Sequence, residues 1–217
     1  MVQAMNDATL AARLAEFDTA TLFEAAGRGA LAAGAVALTG AARVAGPALT
    51  VACPPGDNLA IHVAVAEARP GEILVVQTND AAFGVWGEVL TVAAMARGIA
   101  ALVIDGSVRD VDSMRELGFP VFARGTALVG AAKAAPGTVR APVSCFGQLV
   151  WPGDLVVADV SGVVAIRAHD AEAVLRAAGA RRDKEAALME RLRAGETTVD
   201  LLGLRQVLDR LSAADGP

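Results

Sequence analysis

Along this chain the spacing of apolar positions changes character twice. In residues 7–26, DATLAARLAEFDTATLFEAA, the apolar positions Leu10, Leu14, Phe17, Leu22 and Phe23 recur mostly every three or four residues. That spacing predicts one or two amphipathic helices, ended by Gly27. From residue 42 onward short β-like runs follow: ARVAGPALTVACP, EILVVQT, AALVIDG, FPVFARG, PVSCFG, LVVADV and GVVAIRA. Helical stretches at 58–68 (NLAIHVAVAEA) and 87–98 (GEVLTVAAMARG) interrupt the early runs, and 169–196 reads as a long charged helix with one apolar stripe.

PGEILVV at 70 and PGDLVVA at 152 share the order Pro-Gly-acid followed by apolar residues. Both predict a tight turn feeding a buried strand, because Pro fixes φ and Gly accepts a positive φ. No Gly/Ser/Pro linker exceeds a turn in length, so residues 1–217 are expected to form a single α/β domain. Dense strands between about 100 and 166, with helices to one side, fit a layered sandwich better than a regular doubly wound sheet.

Composition narrows the possible chemistry. Hydrophobic residues make up 54% of the 217. Yet the most apolar stretch, ALAAGAVALTGAARVAGPALTVACP, is broken by Gly34, Gly40, Arg43, Gly46 and Pro47, which argues against a membrane helix. The first residues carry Asp7, Glu16 and Asp18 and no signal-peptide pattern, so a cytoplasmic location is expected. A net charge of −5 argues against nucleic acid as the partner. Cys53 and Cys145 supply no disulfide framework and are expected to be small buried residues.

Two histidines, His62 and His169, cannot build a three-histidine zinc site within one chain. Neither lysine suits a Schiff base: Lys133 lies in a loop-like GAAKAAPG, and Lys184 in a highly charged helix. Carboxylates, arginines and a hard cation are left to carry any reaction.

GIAALVIDGSVRD (98–110) places a buried strand before Arg109 and Asp110, at the sheet edge where ligands of α/β folds commonly sit. Arg109 offers a planar fork for a carboxylate or enolate oxygen, and Asp110 an oxygen ligand of the kind Mg²⁺ uses. A solvated Asp-Arg turn is the competing reading. In FGVWGEVL (83–90), Gly87 permits close backbone approach, and the amides of Glu88, Val89 and Leu90 would be free donors at a helix start, able to hold a carboxylate. Glu88 could equally do no more than favour the positive end of that helix, and Trp86 reads as a wall or core residue. His62 reads as a half-buried histidine; with Asn58 four residues earlier on the same helix face, it would line the cleft.

GDNLAIHVAVAEARPGEILVV, then VWGEVL, then RGIAALVIDGSVRDVDSMRELGFPVFARG resembles the class II pyruvate aldolases of the RraA-like family over residues 20–205. Those aldolases cleave 4-hydroxy-4-methyl-2-oxoglutarate and 4-carboxy-4-hydroxy-2-oxoadipate and also decarboxylate oxaloacetate. The diagnostic part is an acid, twenty intervening residues (89–108) and Arg-Asp, with Glu88 where family members often carry Asp.

The resemblance implies a β/β/α swivel-like fold with N- and C-terminal helices, assembled as a homotrimer or homohexamer. It also implies that the amides of Gly87, Glu88, Val89 and Leu90 hold the pyruvyl carboxylate, that Arg109 contacts the carbonyl side, and that Asp110 binds Mg²⁺ or Mn²⁺ directly. Glu88, and Glu185 from a neighbouring subunit, would reach the ion through water. The implied reaction is a retro-aldol cleavage to pyruvate and a second keto acid, with water on the metal or held by an acid as the base. Oxaloacetate decarboxylation would pass through the same enolate. Arg28, Arg124 and Arg140 are unranked candidates for the substrate's distal end. The same fold family also includes non-catalytic regulators that bind ribonuclease E, which is the alternative reading. A methyltransferase is rejected for want of a GxGxxG loop between strand and helix.

Overall fold

The computed structural model describes residues 7–27, 35–40 and 43–214. Two helices, α1 (Asp7–Leu14) and α2 (Thr19–Ala26), fill the predicted N-terminal stretch. The break between them is set by Asp18, whose carboxylate caps α2 by accepting from the Thr21 amide, and Gly27 ends α2 in the left-handed region, at φ 62°. After β1 (Val36–Thr39) and β2 (Val44–Ala52), the chain alternates α3 (Leu59–Glu67), β3 (Ile73–Trp86), α4 (Glu88–Ala96), β4 (Ala101–Val108), α5 (Val111–Glu116) and β5 (Val121–Thr126). Short strands follow, β6 (Val129–Gly130) and β7 (Thr138–Val139). Next come the hairpin β8 (Val143–Cys145) and β9 (Gln148–Val150), and then β10 (Leu155–Asp159) and β11 (Gly162–Ile166). The long helix α6 (Ala171–Arg193) and two shorter helices, α7 (Thr198–Leu201) and α8 (Arg205–Ala214), close the described chain.

The main sheet runs β1-β5-β4-β3-β2-β10-β11, parallel through β5-β4-β3-β2 and antiparallel at its edges. Successive residues of one strand serve different layers, as the two-residue period of a strand requires. Leu74, Val76, Leu102 and Ile104 pack with Ile61, Ala64, Leu90 and Met114 under α3, α4 and α5. Ile73, Val75, Ala101 and Val103 face the opposite way, toward Val143, Cys145 and Phe146 of the β8-β9 hairpin. A third core seats α1, α2 and α6 on β10 and β11 through Leu14, Leu22, Leu155, Val157, Val164 and Leu175. Hairpin, curled sheet and helices therefore form the expected layered β/β/α arrangement, with helices at both ends.

The Pro-Gly echo is a shared turn. Gly71 and Gly153 adopt φ of 85° and 82° and lead into β3 and β10. Both cysteines are buried, as expected, and burial pushes the Cys145 thiol well up. Two elements differ from the sequence reading. The apolar stretch before Gly40 contains an edge strand, β1, paired with β5. The run EILVVQT also continues to Trp86, in a strand whose register against β4 shifts three times between Gln77 and Trp86. Such irregularities leave the alternating pattern that identifies strands unreadable beyond Thr78. Among the described residues no helix is long and apolar enough to cross a membrane.

Candidate active site

The end of β3 and the end of β4 create the site. Parallel pairing aligns Trp86 with Val108, and the Arg109 amide donates to the Trp86 carbonyl at 2.8 Å. Gly87 and the Arg109-Asp110 pair, which open and follow one helix-strand unit in sequence, thus emerge side by side at one sheet edge. The Asp110 Oδ2 accepts from the Glu88 amide at 3.2 Å and lies 3.5 Å from Arg109 Nε. This contact requires Gly87: a Cβ there would collide with Asp110 Oδ2 and lie 3.0 Å from Arg109 Cγ. Gly84 is confined in the same way, since a Cβ there would collide with the Ala127 carbonyl and lie 3.2 Å from Arg109 Cβ. Asp110 itself sits at φ 56°, ψ 38°, a left-handed conformation that Asp tolerates better than most residues.

These groups open on a cavity of ≈ 290 Å³. Gly84, Val85, Trp86 and Gly87 line it from β3 and its exit, Val89 and Leu90 from the start of α4, and Arg109 and Asp110 from the end of β4. The first backbone bond of α4 runs from the Thr91 amide to the Gly87 carbonyl, so the amides of Val89 and Leu90 have no protein acceptor among the described residues. The Glu88 amide is already held by Asp110, which leaves a shorter cradle than the predicted run of four. Behind it, the buried Trp86 indole donates to Thr91 Oγ1 at 2.8 Å, and that hydroxyl reaches the Gly87 carbonyl at 3.0 Å.

The opposite wall contains Asn58, His62 and Lys133. Asn58 Nδ2 donates to the Val85 carbonyl at 2.8 Å, while Asn58 Oδ1 and His62 Nε2 are buried without a protein partner among the described residues. Buried polar atoms are almost always satisfied, so these two call for water or a ligand in the cavity. Burial, and then the nearby Lys133 charge, holds the His62 imidazole below its usual range. Lys133 does lie in an exposed loop, but that loop borders the cavity. No sequence pattern marks it; only its docking beside α3 does.

Several predicted residues lie elsewhere. The Glu88 side chain is exposed and does not line the cavity, although its amide contacts Asp110. Glu185 stands on α6 in an ion pair with Arg181 at 2.8 Å, away from the cavity of its own chain. Arg124 pairs with the buried Asp105 and stacks over Phe146, and Arg140 pairs with Glu72 at 2.7 Å. Neither arginine lines the cavity, and an acidic partner holds each of them. Arg28 lies outside the described residues. Among the described residues no group of three or more His, Cys, Asp or Glu side chains is placed to hold a metal. Among the described residues that line the cavity, Asp110 is the one carboxylate. That suits a cation such as Mg²⁺, which keeps several waters and takes one or two carboxylates plus ligand oxygens.

Comparison with known proteins places this geometry in context. A sequence model described as RraA-like, Aldolase/RraA, matches residues 18–165. The chain is 39% identical over 137 residues to a Halalkalibacterium halodurans protein named "Putative 4-hydroxy-4-methyl-2-oxoglutarate aldolase", covering 63% of this chain and 65% of that one. The chain thus spans just under two-thirds of that relative's length. Among solved structures, Streptomyces coelicolor RraAS2, described as an unusual member of the RNase ES inhibitor RraA family, superposes with a TM-score of 0.78 at 31% identity. That match covers 86% of this chain and 98% of RraAS2. An RNA-processing inhibitor RraA from Thermus thermophilis matches with a TM-score of 0.65 at 27% identity, over 70% of this chain and 93% of that one.

Proposed function

The chain belongs to the RraA-like family, and from that premise we propose that it is a divalent-metal-dependent lyase. It cleaves a 4-hydroxy-2-keto acid to pyruvate and a second keto acid, and decarboxylates oxaloacetate through the same enolate. The observation that carries this reading is the convergence of Arg109, Asp110 and the free Val89 and Leu90 amides on one cavity. Names of relatives that include 4-hydroxy-4-methyl-2-oxoglutarate aldolase support it.

The substrate carboxylate accepts from the Val89 and Leu90 amides, which places the C2 carbonyl beside Arg109. Asp110 would hold Mg²⁺ or Mn²⁺, which would supply Lewis-acid polarisation of the keto group. A water molecule acting as base takes the proton of the C4 hydroxyl, the C4–O bond becomes a carbonyl, and the C3–C4 electron pair moves into the C2 enolate. Arg109 stabilises the negative charge that develops on that oxygen. That protonated water then delivers a proton to C3, which yields pyruvate. For oxaloacetate the same electron pair is released by loss of CO₂. Asn58 and His62 face the substrate from the far wall, where a neutral imidazole can accept or donate a hydrogen bond, and Lys133 attracts a carboxylate carried on C4. One carboxylate is a sparse anchor for a cation. A neighbouring subunit in a trimer or hexamer would bring its own Glu185 within reach of the cation through water.

The test is pyruvate release from oxaloacetate by the purified protein with Mg²⁺, with EDTA, and in Arg109→Ala. Release that stops with EDTA and falls on the order of 10²-fold in the variant, the cost of one lost oxyanion donor, supports the reading. A near-normal Arg109→Ala enzyme would overturn the assignment. A folded protein inactive on oxaloacetate and on a panel of 4-hydroxy-2-keto acids would favour the second reading, a protein-binding regulator. The RraA structures similar to this chain are the reason to hold that reading in view.

A further inference from the structure

Lys133 sits on a segment without regular secondary structure, yet the residues on both sides of it are pinned to the start of α3. The Ala132 amide donates to the Gly56 carbonyl at 2.8 Å, and the Asn58 amide to the Ala132 carbonyl at 3.0 Å. Beyond Lys133, the Ala134 and Ala135 amides both donate to Asp57 Oδ2, at 2.6 and 3.1 Å. The other oxygen, Asp57 Oδ1, accepts from the Leu59 amide at 2.8 Å. Asp57 is 4% exposed and does not line the cavity.

We infer that Asp57 is a positioning residue: its carboxylate fastens the Lys133 loop across from Asn58 and His62 and thereby sets the grip on a substrate's second carboxylate. This rests on the reading of the cavity given above. A helix-capping role would account for Oδ1 alone. It leaves unexplained why Oδ2 accepts two amides from residues 77 and 78 positions away. The Ala134 and Leu59 amides hold the Asp57 carboxyl below the usual carboxylate range, as expected for an ionised group that accepts several N–H bonds. A lysine side chain loses considerable rotamer freedom when it binds a ligand, so a fixed backbone on both sides lowers the cost of that contact.

The discriminating variant is Asp57→Ser, whose hydroxyl can still serve the nearby Leu59 amide but cannot span to the loop. Amide hydrogen exchange of the full-length protein should speed up at Ala134 and Ala135 while α3 keeps its protection. KM for oxaloacetate should rise on the order of fivefold, the scale of one exposed ion pair, with kcat within about twofold. Deuterium incorporation into the methyl group of saturating pyruvate should stay at the wild-type rate. Asp57→Ser combined with Lys133→Ala should be no worse than Lys133→Ala alone. Unchanged exchange at Ala134 and Ala135, or a KM effect that adds fully to that of Lys133→Ala, would overturn the inference. If the wild-type protein turned over no keto acid, the functional reading would fail, while the exchange experiment would still decide whether Asp57 fastens the loop.

Discussion

Asp110 Oδ2 occupies the volume that a Cβ on Gly87 would fill, although twenty-three positions separate the two residues in the chain. The absence of one carbon on β3's exit is what lets the carboxylate after β4 reach the first amide of α4. Gly87→Ala should therefore displace Asp110 and Arg109 together. Catalysis should fall by on the order of 10²-fold, as a misplacement of about 1 Å can cause. Far-UV circular dichroism should be unchanged, and steady-state pyruvate release would check the effect. A variant with full activity would mean that the contact between Gly87 and Asp110 has no part in the reaction.

At Asp110 charge and backbone conformation can be separated. Asn accepts the left-handed φ of 56° nearly as well as Asp, whereas Ala pays about 1–2 kcal/mol there. Asp110→Asn should keep the wild-type melting temperature but lose Mg²⁺ or Mn²⁺ binding by calorimetry. Asp110→Ala should lose both. Wild-type metal affinity in the Asn variant would move the ion to another residue.

The hydroxyl of Thr91 joins the Trp86 indole to the Gly87 carbonyl in the core. Thr91→Val preserves shape but leaves the indole N–H unsatisfied, at a cost of about 1–3 kcal/mol in urea unfolding. Thr91→Ser should restore most of that stability. Equal losses in both variants would point to packing of the methyl group instead.

Acid should weaken the seat of α2 on the sheet. Burial pushes the Asp159 carboxyl up, but the Thr19 hydroxyl at 2.7 Å, the Thr19 and Ser161 amides and the Arg43 charge outweigh it, leaving it below its ordinary 3.8. A folded-state value lower than the unfolded one stabilises the protein above about pH 4, and that contribution disappears as pH falls through the folded value. Compared with Asp159→Asn, the wild type should be more stable at neutral pH, with the gap closing below pH 3.8 in acid-unfolding curves. A gap that persisted in acid would show that the carboxylate's charge is not what binds Thr19.

Much of this was legible from residue order. Pro-Gly turns, β-branched runs and the helix stop at Gly27 identify local structure because each acts over a few residues. Gly87, Arg109 and Asp110 could be picked out because their residue types are unusual beside buried strands. What the one-dimensional pattern lacks is register. Only the pairing of Trp86 with Val108 brings these residues to one edge, and the irregular second half of β3 hides that pairing. Lys133 escaped because it is an ordinary loop lysine until the Asp57 carboxylate draws its neighbours against α3. Arg124 and Arg140 could not be ranked for the converse reason, since their acidic partners Asp105 and Glu72 lie 19 and 68 positions away.

The parallel pairing of β3 and β4 also bears on how the molecule comes into being. Parallel neighbours cannot form from a local hairpin; the intervening helix must first loop back and dock. Contacts between residues distant in sequence are assembled late and pay their closure entropy in advance. The cleft is therefore missing from any partly folded chain in which β3 and β4 have not yet met. Recovery of ligand binding during refolding reports the arrival of that pair, whatever helix content has returned before it.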